Sequence, residues 1–329
     1  MKAIVMDGFG PPSRANLADL PMPPCRERDV LIEVRAAGVN PVDWKECEGH
    51  LEQFYGTYED HWVPGYDVAG VVHAVGSQVS AFRPGDRVIA FSDRRENGHN
   101  GTFAEYVRVL DNAVSLVPDA VSLEDAAAIP TAALTGYQAL HRSNKAALQP
   151  GDTVLVHGAS GGVGSYTVQF AKAAGLRVAA TCSARNLGYL AGLGTDLAID
   201  YAERRITESL REWEPDGLDA IVDCVSGGSI ANPEAILKQG GRLISIATLT
   251  QDGDIAGDTA KAAELGYEKI LSIMEFDRIG EELGEVLALM AEGKVMPPPL
   301  TAYPLERGVQ ALEAMKRGGV RGKIVLTAG

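Results

Sequence analysis

The pattern of apolar and polar positions changes at about residue 125, which divides the chain into two parts. From residue 1 to about residue 125, short alternating apolar runs are separated by Gly and Pro. Clear examples are residues 30–34, 68–75, 87–91 and 103–109. Short strands at this spacing predict an antiparallel barrel or sandwich.

From about residue 126, apolar runs alternate with segments of helix length. The predicted strands are 154–159, 177–183, 196–201, 218–225, 241–247 and 268–275. Six such repeats predict a doubly wound parallel sheet, so the fold class is α/β. After the triple proline at 297–299 the pattern shortens and ends in an apolar run. The predicted domains are therefore 1–125, completed by 297–329, and 126–296.

A glycine-rich segment with the sequence HGASGGVG occupies residues 157–164, directly after the first predicted strand of the second domain. Glycines there permit a tight turn, and the N-terminus of the following helix offers free N–H groups to a pyrophosphate. Ser160 stands where GxGxxG has an early glycine, and Gly161 and Gly162 are doubled. An ordinary turn is the alternative, but the strand before the segment and the helix after it favour dinucleotide binding.

The end of the second predicted strand indicates which dinucleotide binds. NAD sites usually carry Asp or Glu there, accepting from the ribose hydroxyls. Here the strand ends in Ser183-Ala184-Arg185, with no acid before Asp196. Ser183 and Arg185 can donate to a 2′-phosphate, which predicts NADPH. The alternative for Arg185 is a solvated surface residue.

Net charge and apolar run length restrict partners and location. The formal net charge of −14 disfavours nucleic acid and anionic membranes. The chain has no apolar run long enough to span a bilayer, and its first residues lack a secretory signal core, so a cytoplasmic protein is predicted. The four cysteines include no CxxC pair, which argues against disulfides and against a four-cysteine zinc site.

Several segments together resemble the zinc-free quinone oxidoreductases of the medium-chain dehydrogenase/reductase superfamily. They are AAGVNPVDWK (36–45), VPGYDVAGVV (63–72), PGDRVIAF (84–91), GTFAEYV (101–107), AAIPTAALTGYQAL (127–140), HGASGGVG and RGKIVL (321–326). The resemblance implies a GroES-like β-barrel catalytic domain followed by a Rossmann cofactor domain.

Zinc-using relatives carry Cys in the first of these segments, Gly-His-Glu in the second and another Cys before the Thr-Gly-Tyr. This chain has Asn40, Gly65-Tyr66-Asp67 and Thr131 at the corresponding places. The inserted four-cysteine lobe is also absent, because segment 84–91 reaches 101–107 within about a dozen residues. Cys47 and His50 form a lone CxxH pair without further ligands. No metal is predicted.

The resemblance also implies which residues contact the cofactor. Asn40 and Thr131 should contact its nicotinamide half. The other implied contacts are Ser160, Gly161, Gly162 and Val163 for the pyrophosphate, Ser183, Arg185 and Tyr201 for the 2′-phosphate side, Val225, Ile246 and Thr248 along the groove, and Arg321 and Lys323 as extra phosphate contacts. For Tyr201 a capped strand end is the alternative.

Without zinc to polarise a carbonyl, quinones and α,β-unsaturated carbonyls are better hydride acceptors than simple ketones. Tyr66 and the Asn40 amide are the candidate donors to the developing oxyanion. The alternatives are structural: Asn40 tying down a loop, and Tyr66 packing in the barrel wall. The predicted function is a quinone reductase or an enone/alkenal reductase, and a non-catalytic NADPH-binding protein stays possible.

Two further expectations concern the substrate and the assembly. Phe54, Tyr55, Tyr58 and Trp62 lie in a loop expected to cover an apolar carbonyl or quinone substrate. The strand at 268–275 is expected at an edge of the sheet, and its centre, residues 270–274, is apolar on both faces and contains no Pro or Lys. In family members the same strand pairs with its symmetry mate, so a homodimer through 268–275 is predicted.

Overall fold

The computed structural model describes residues 1–58, 61–94, 100–202, 206–225, 229–246 and 255–328. The chain forms two compact units. Unit 1 consists of Met1–Leu134, Glu275–Gly293 and Pro297–Gly329, and unit 2 of Thr135–Met274 and Lys294–Met296. Unit 1 therefore includes residues 126–134 and 275–293, which the sequence pattern assigns to the second domain.

Sixteen strands and ten α-helices are present in the described part of the chain, together with five short 3-10 helices. The strands are β1 Lys2–Asp7, β2 Asn16–Asp19, β3 Asp29–Val39, β4 His61–Trp62, β5 Asp67–Val75, β6 Arg87–Phe91, β7 Tyr106–Leu110, β8 Val114–Leu116, β9 Thr153–His157, β10 Arg177–Cys182, β11 Leu197–Asp200, β12 Leu218–Asp223, β13 Leu237–Ile246, β14 Glu268–Ser272, β15 Leu300–Pro304 and β16 Lys323–Thr327. The helices are α1 Pro41–Cys47, α2 Glu52–Tyr55, α3 Leu123–Ala127, α4 Pro130–His141, α5 Gly162–Ala173, α6 Leu187–Gly192, α7 Ile206–Trp213, α8 Ile255–Glu264, α9 Ile279–Ala291 and α10 Gly308–Arg317. No helix among the described residues is both long enough and apolar enough to cross a membrane.

The main sheet of unit 1 is built around the long strand β3. Its strand order is β15-β16-β3-β5-β6-β8, with β7 also paired to β3, and a small second sheet has the order β2-β1-β4. Strand β16 pairs antiparallel with the end of β3, from Ile324 opposite Val39 to Thr327 opposite Ala36. The C-terminal segment is thereby part of the unit 1 sheet. Alternating inward side chains such as Val30, Ile32 and Val34 form the core.

Unit 2 is built on a six-stranded parallel sheet with the order β11-β10-β9-β12-β13-β14. This order confirms the predicted doubly wound sheet, because the third, second and first strands lie on one side and the fourth, fifth and sixth on the other. Strand β9 is buried along its whole length, as expected for a central parallel strand covered on both faces. Ligands of such sheets bind beyond the carboxyl ends of the strands, where the order reverses between β9 and β12.

Candidate active-site and cofactor-binding residues

In unit 2, strand β9 ends at His157 and helix α5 begins at Gly162, so the glycine-rich segment connects the two as the sequence predicts. Gly158 has a φ of +77°, and a Cβ there would lie 2.7 Å from Cγ2 of Val225. A Cβ on Gly164 would lie 2.6 Å from the Ala159 Cα and 2.6 Å from the Gly158 oxygen. The turn and the close approach of helix to strand therefore both require glycine.

Hydrogen bonds from the end of β10 hold this loop. The Gly158 N–H donates to the Thr181 hydroxyl (3.0 Å) and the Ala159 N–H to the Thr181 carbonyl (2.9 Å). The Asn186 amide donates to the Ser160 hydroxyl at 3.1 Å and to the Ser183 hydroxyl at 3.3 Å. Two serines predicted to contact the cofactor are thus joined through Asn186, which the sequence argument did not identify.

Strand β12 ends at Asp223, which lies opposite His157 of β9 and is also buried. Its carboxylate accepts from the Val225 N–H (2.9 Å) and from the Ser229 hydroxyl (2.9 and 3.0 Å). Burial lowers the pKa of His157 below its usual value, and Asp223 opposes this only in part. The imidazole under the loop is therefore biased toward its neutral form.

The other residues predicted to bind the cofactor follow the carboxyl ends of the neighbouring strands. Arg185 is exposed in the turn after β10, Tyr201 is exposed directly after β11, and Val225 is exposed after β12. Ile246 is the buried last residue of β13. Thr248 lies outside the described residues. The described members of this set share the edge of the sheet at which doubly wound folds bind nucleotides.

In unit 1, four elements that are distant in sequence bring Asn40, Thr131 and Lys323 together around the carboxylate of Asp67. The Asn40 amide donates to Asp67 Oδ2 at 2.8 Å, and the Thr131 N–H donates to Oδ1 at 2.9 Å. The Thr131 hydroxyl also donates to Oδ1. The Lys323 ammonium donates to the Asn40 side-chain oxygen and to the Val39 carbonyl (3.3 Å), and it lies 3.5 Å from Asp67 Oδ2.

Lys323 is placed differently from the sequence expectation. It is 2% exposed, and its charge is balanced by Asp67 inside unit 1. Burial lowers the pKa of Lys323, while Asp67 and Asp43 raise it in part. A side chain held in this way is unsuited to the phosphate contact expected of it. Arg321, two residues earlier, is exposed.

Asn40 precedes helix α1, whose first residue is Pro41. The Asn40 backbone N–H donates to Asp43 Oδ2 at 2.6 Å, which fixes the entry to the helix. The other oxygen of Asp43 is buried and has no hydrogen-bond partner among the described residues. Burial raises the pKa of Asp43 well above its usual value, since the Asn40 N–H and Lys323 offset the burial only in part and Asp67 adds to it. The carboxyl is therefore biased toward its protonated form.

Tyr66 is 2% exposed, and its ring stacks on Phe91 with centroids 5.6 Å apart. Tyr66 thus packs inside unit 1, as the structural alternative given in the sequence analysis expects. Its hydroxyl, however, has no hydrogen-bond partner among the residues that the structure describes. Burial raises the pKa of Tyr66, with Glu46 adding to the effect and Arg94 opposing it. The group stays a protonated donor at neutral pH.

Beside Tyr66 lies a buried ion pair that the sequence argument missed. Arg94 donates from Nε to Glu46 Oε1 at 2.8 Å, from Nη2 to Oε2 at 2.9 Å, and from Nη1 to the Val63 carbonyl at 3.0 Å. The Tyr58 hydroxyl donates to Glu46 Oε1 at 2.8 Å. The guanidinium lies 5.2 Å from the Tyr66 ring centroid. The pair therefore fixes the surroundings of a candidate catalytic side chain.

The aromatic residues expected to cover a substrate are divided between core and surface. Tyr58 and Trp62 stack on each other with centroids 4.5 Å apart, and both are buried in the core of unit 1 rather than exposed to solvent. Tyr55 is half-buried, and Phe54 is 48% exposed. Phe54 is the member of this group that a ligand in solution can reach most readily.

Comparison with known proteins shows the family. Two family models match: the alcohol dehydrogenase GroES-like domain over residues 26–119 and the zinc-binding dehydrogenase domain over residues 193–326. A chloroplastic quinone-oxidoreductase homolog of Spinacia oleracea is 32% identical over 334 residues, covering 99% of this chain and 98% of the relative. The chain belongs to the zinc-free, quinone oxidoreductase-like members of the medium-chain dehydrogenase/reductase superfamily.

Two further similarities fit this family. A 2-methylene-furan-3-one reductase of Solanum lycopersicum is 34% identical, covering 94% of this chain and 74% of the relative. The solved quinone oxidoreductase from Coxiella burnetii is 31% identical and superimposes with a TM-score of 0.83, covering 99% of both chains. As a member of the family, the chain is an oxidoreductase whose Rossmann unit takes a nicotinamide cofactor.

One of the two matching families is the zinc-binding dehydrogenases, so we asked whether side chains of this chain could bind a metal ion. Among the described residues, no three His, Cys, Asp or Glu side chains are grouped so that they could hold a metal ion. The sequence resemblance implies that Asn40, Tyr66 and Thr131 stand where zinc-using relatives carry their ligands. Two of these three, Asn40 and Thr131, contact Asp67 instead.

The loop geometry predicts the effect of a single methyl group. Gly164→Ala would place a Cβ against backbone atoms that cannot move independently, so we expect cofactor binding to fall by more than about tenfold, with a loss of stability of about 1–3 kcal/mol. Gly188→Ala in helix α6 is the matched control, because a Cβ there meets nothing within 4 Å. It should be neutral or stabilising by about 0.5–1 kcal/mol. Fluorescence titration of the cofactor and urea unfolding would measure both, and equal behaviour of the two variants would contradict the prediction.

The raised pKa of Asp43 predicts a pH dependence of stability. A carboxyl whose folded pKa lies above its unfolded value makes the free energy of unfolding fall as pH rises from about 4 toward the folded pKa, by about 1.4 kcal/mol for each unit of difference. Asp43→Asn resembles the protonated form, so its stability relative to the unmodified protein should be higher at pH 8 than at pH 5. Urea unfolding at both pH values measures this. Asp119→Asn at a fully exposed side chain is the control, and an identical pH response of the two variants would contradict the assignment.

Proposed function

We propose that the chain is an NADPH-dependent reductase that transfers a hydride to a quinone or to an α,β-unsaturated carbonyl without zinc. The observation that carries the cofactor choice is the end of β10, where Ser183 is held by Asn186 and Arg185 is exposed. A carboxylate at this position would repel a 2′-phosphate, whereas a guanidinium attracts it. The carboxylate at the end of the next strand, Asp200, is buried and accepts from the Ala202 N–H at 3.0 Å.

The residues of unit 2 fit a dinucleotide. The half-buried segment from Ser160 to Val163 joins β9 to the N-terminus of α5, where backbone N–H groups without helical partners can hold a pyrophosphate. Gly158 and Gly164 leave the space that side chains would fill. Tyr201 and Val225 are the exposed side chains at the neighbouring strand ends, available to the adenosine half. Ile246 is buried and would support the groove from beneath.

The residues of unit 1 fit the reacting end. Asn40 and Thr131 would hold the nicotinamide half, since Asp67 fixes the side chains of both. When bound, the reduced cofactor supplies the hydride. The buried hydroxyl of Tyr66 would donate to the substrate oxygen as negative charge develops on it, because burial keeps that hydroxyl protonated. A donor whose orientation is fixed in a low-dielectric site stabilises an oxyanion more than water does.

The substrate class rests on this chemistry and on the relatives. Conjugated acceptors spread the developing charge onto oxygen, so they need no metal. The Spinacia oleracea relative is named as a quinone-oxidoreductase homolog, and the Solanum lycopersicum relative is named for the reduction of a methylene-furanone. These names support both members of the proposed substrate class, a quinone or an enone.

Steady-state NADPH oxidation with a quinone, an enone, an enal and a simple ketone tests the reaction. We expect turnover with the conjugated acceptors, little or none with the ketone, and no loss after treatment with a chelator. Stoichiometric zinc required for turnover, or NADPH oxidation with none of the conjugated acceptors, would overturn the proposal.

The cofactor choice has its own test. Arg185→Ala should weaken NADPH binding by about 10- to 100-fold, the value of one charged hydrogen bond, and should leave NADH binding unchanged. Arg177→Ala is the matched control, because Arg177 lies at the opposite end of the same strand and pairs with Glu214. Equal affinity of the unmodified protein for NADPH and NADH would contradict the assignment.

A further inference from the structure

We propose that Lys323 is a positioning residue that sets the orientation of the Asn40 amide, so that Asn40 presents an N–H donor to the carboxamide oxygen of the bound nicotinamide. This inference rests on the proposed function, in which Asn40 holds the nicotinamide half. The observation behind it is that the Asn40 side chain lies between opposite charges. The Lys323 ammonium is at its oxygen, and the Asp67 carboxylate is at its nitrogen.

An amide side chain is nearly symmetric in shape, so its neighbours decide which end carries the oxygen. Rotating the Asn40 amide by half a turn would place its N–H groups against the Lys323 ammonium and its oxygen against Asp67. Both charge-assisted hydrogen bonds would be replaced by repulsive contacts. Because Asn40 is 3% exposed, water reaches little of the amide and compensates for only a small part of that loss.

Asp67 is fully used by its own partners. Its Oδ1 accepts from both the N–H and the hydroxyl of Thr131, and its Oδ2 accepts from Asn40 with Lys323 nearby. The Asn40 nitrogen carries two hydrogens, of which one is donated to Asp67. The second has no acceptor among the residues that the structure describes. The site therefore offers a donor to a ligand oxygen, and Lys323 acts through Asn40 rather than on a phosphate.

The test separates the two halves of the cofactor. Lys323→Met should weaken NADPH binding by about two- to tenfold, the range of one neutral hydrogen bond, while binding of adenosine 2′,5′-bisphosphate, which lacks the nicotinamide, stays unchanged. Fluorescence titration and calorimetry measure these affinities without turnover. Arg185→Ala should weaken both ligands. If Lys323→Met weakens both ligands equally, Lys323 is a phosphate contact and the inference fails.

A double variant tests whether Lys323 works through Asn40. Asn40→Ser removes the amide and leaves at the start of α1 a residue type that helix N-termini accept, and it should weaken NADPH binding as Lys323→Met does. Adding Lys323→Met to Asn40→Ser should change NADPH affinity by less than about twofold. A full additive loss would overturn the inference.

Folding and function remain separable in these experiments. Lys323→Arg keeps the charge, so it should retain most of the NADPH affinity even if Lys323→Met lowers the melting temperature. A loss of affinity in Lys323→Arg equal to that in Lys323→Met, at an unchanged melting temperature, would contradict the role of the charge. If the unmodified protein binds neither NADPH nor adenosine 2′,5′-bisphosphate, the proposed function itself fails.

Discussion

Replacing Glu46 with Gln is expected to lower the free energy of unfolding by about 3–5 kcal/mol, because it leaves a buried guanidinium without its counter-ion. Both side chains of the pair with Arg94 are almost fully buried, at 1% and 2% exposure. Burial lowers the pKa of Arg94, but Glu46 more than restores it, so the guanidinium keeps its charge. An uncompensated charge at this depth costs far more than the same charge at the surface.

Urea unfolding of single and double variants tests this. Arg94→Met should cost a similar amount, because it leaves the Glu46 carboxylate buried and the Val63 carbonyl without its donor. The double variant Glu46→Gln with Arg94→Met removes both charges and leaves an acceptor for the Tyr58 hydroxyl, so its loss should be well below the sum of the single losses.

The control is Glu306→Gln, which breaks the half-exposed pair with Lys2 and should cost less than about 1 kcal/mol. Single-variant losses at Glu46 and Arg94 as small as that of the control would show that solvent reaches the pair. Strict additivity of the two would show that Glu46 and Arg94 do not act on each other.

Local signals in the sequence were sufficient for unit 2. Each βα repeat carries its own strand, turn and helix within about thirty residues, so periodicity and glycines specify the parallel sheet and the loop at 157–164. The first and last residues of the strands were predicted less accurately. Strand β13 begins at Leu237, before the predicted 241, and β14 ends at Ser272, before the predicted 275. The first and last residues of a strand depend on the neighbouring strands and helices that pack against it, and the sequence of one segment does not encode these partners.

The network in unit 1 could be predicted only in part. The resemblance selected Asn40, Thr131 and Lys323, but their meeting around Asp67 depends on β16 pairing with β3, nearly three hundred residues apart in sequence. The ion pair of Glu46 and Arg94 gave no signal either, because a Glu and an Arg separated by 48 positions look like two ordinary surface charges. Burial and charge pairing of this kind arise from tertiary packing. The periodicity of apolar residues in the sequence carries no information about it.

Strand β14 lies at the edge of the parallel sheet of unit 2, paired with β13 alone in the described part of the chain. The edge position confirms that part of the sequence expectation. Ile270 and Leu271 are half-buried, and Ile273, the residue after the strand, is 42% exposed. Its carbonyl accepts from the Lys145 ammonium at 3.0 Å, so the edge is partly satisfied just beyond the strand. The centre of the strand, Ile270 and Leu271, has the apolar, proline-free character that soluble proteins normally cover, whereas Glu268 and Lys269 before it pair with Arg242 and Asp258.

We therefore expect a homodimer in which β14 pairs with its symmetry mate, and Ile273→Asp is expected to dissociate it. A twofold interface contains every substitution twice, so Ile273→Asp removes two apolar contacts of about 1.5 kcal/mol or more each. It also places two carboxylates where they repel each other. Together these effects should raise the dimer dissociation constant at least about 100-fold. Met22→Asp in unit 1, at a residue 44% exposed, is the control and should leave the assembly unchanged. Light scattering at micromolar concentration measures both variants. A stable monomer of the unmodified protein, or a dimer that survives Ile273→Asp with the same affinity, would show that another surface joins the subunits or that the edge is covered within one chain.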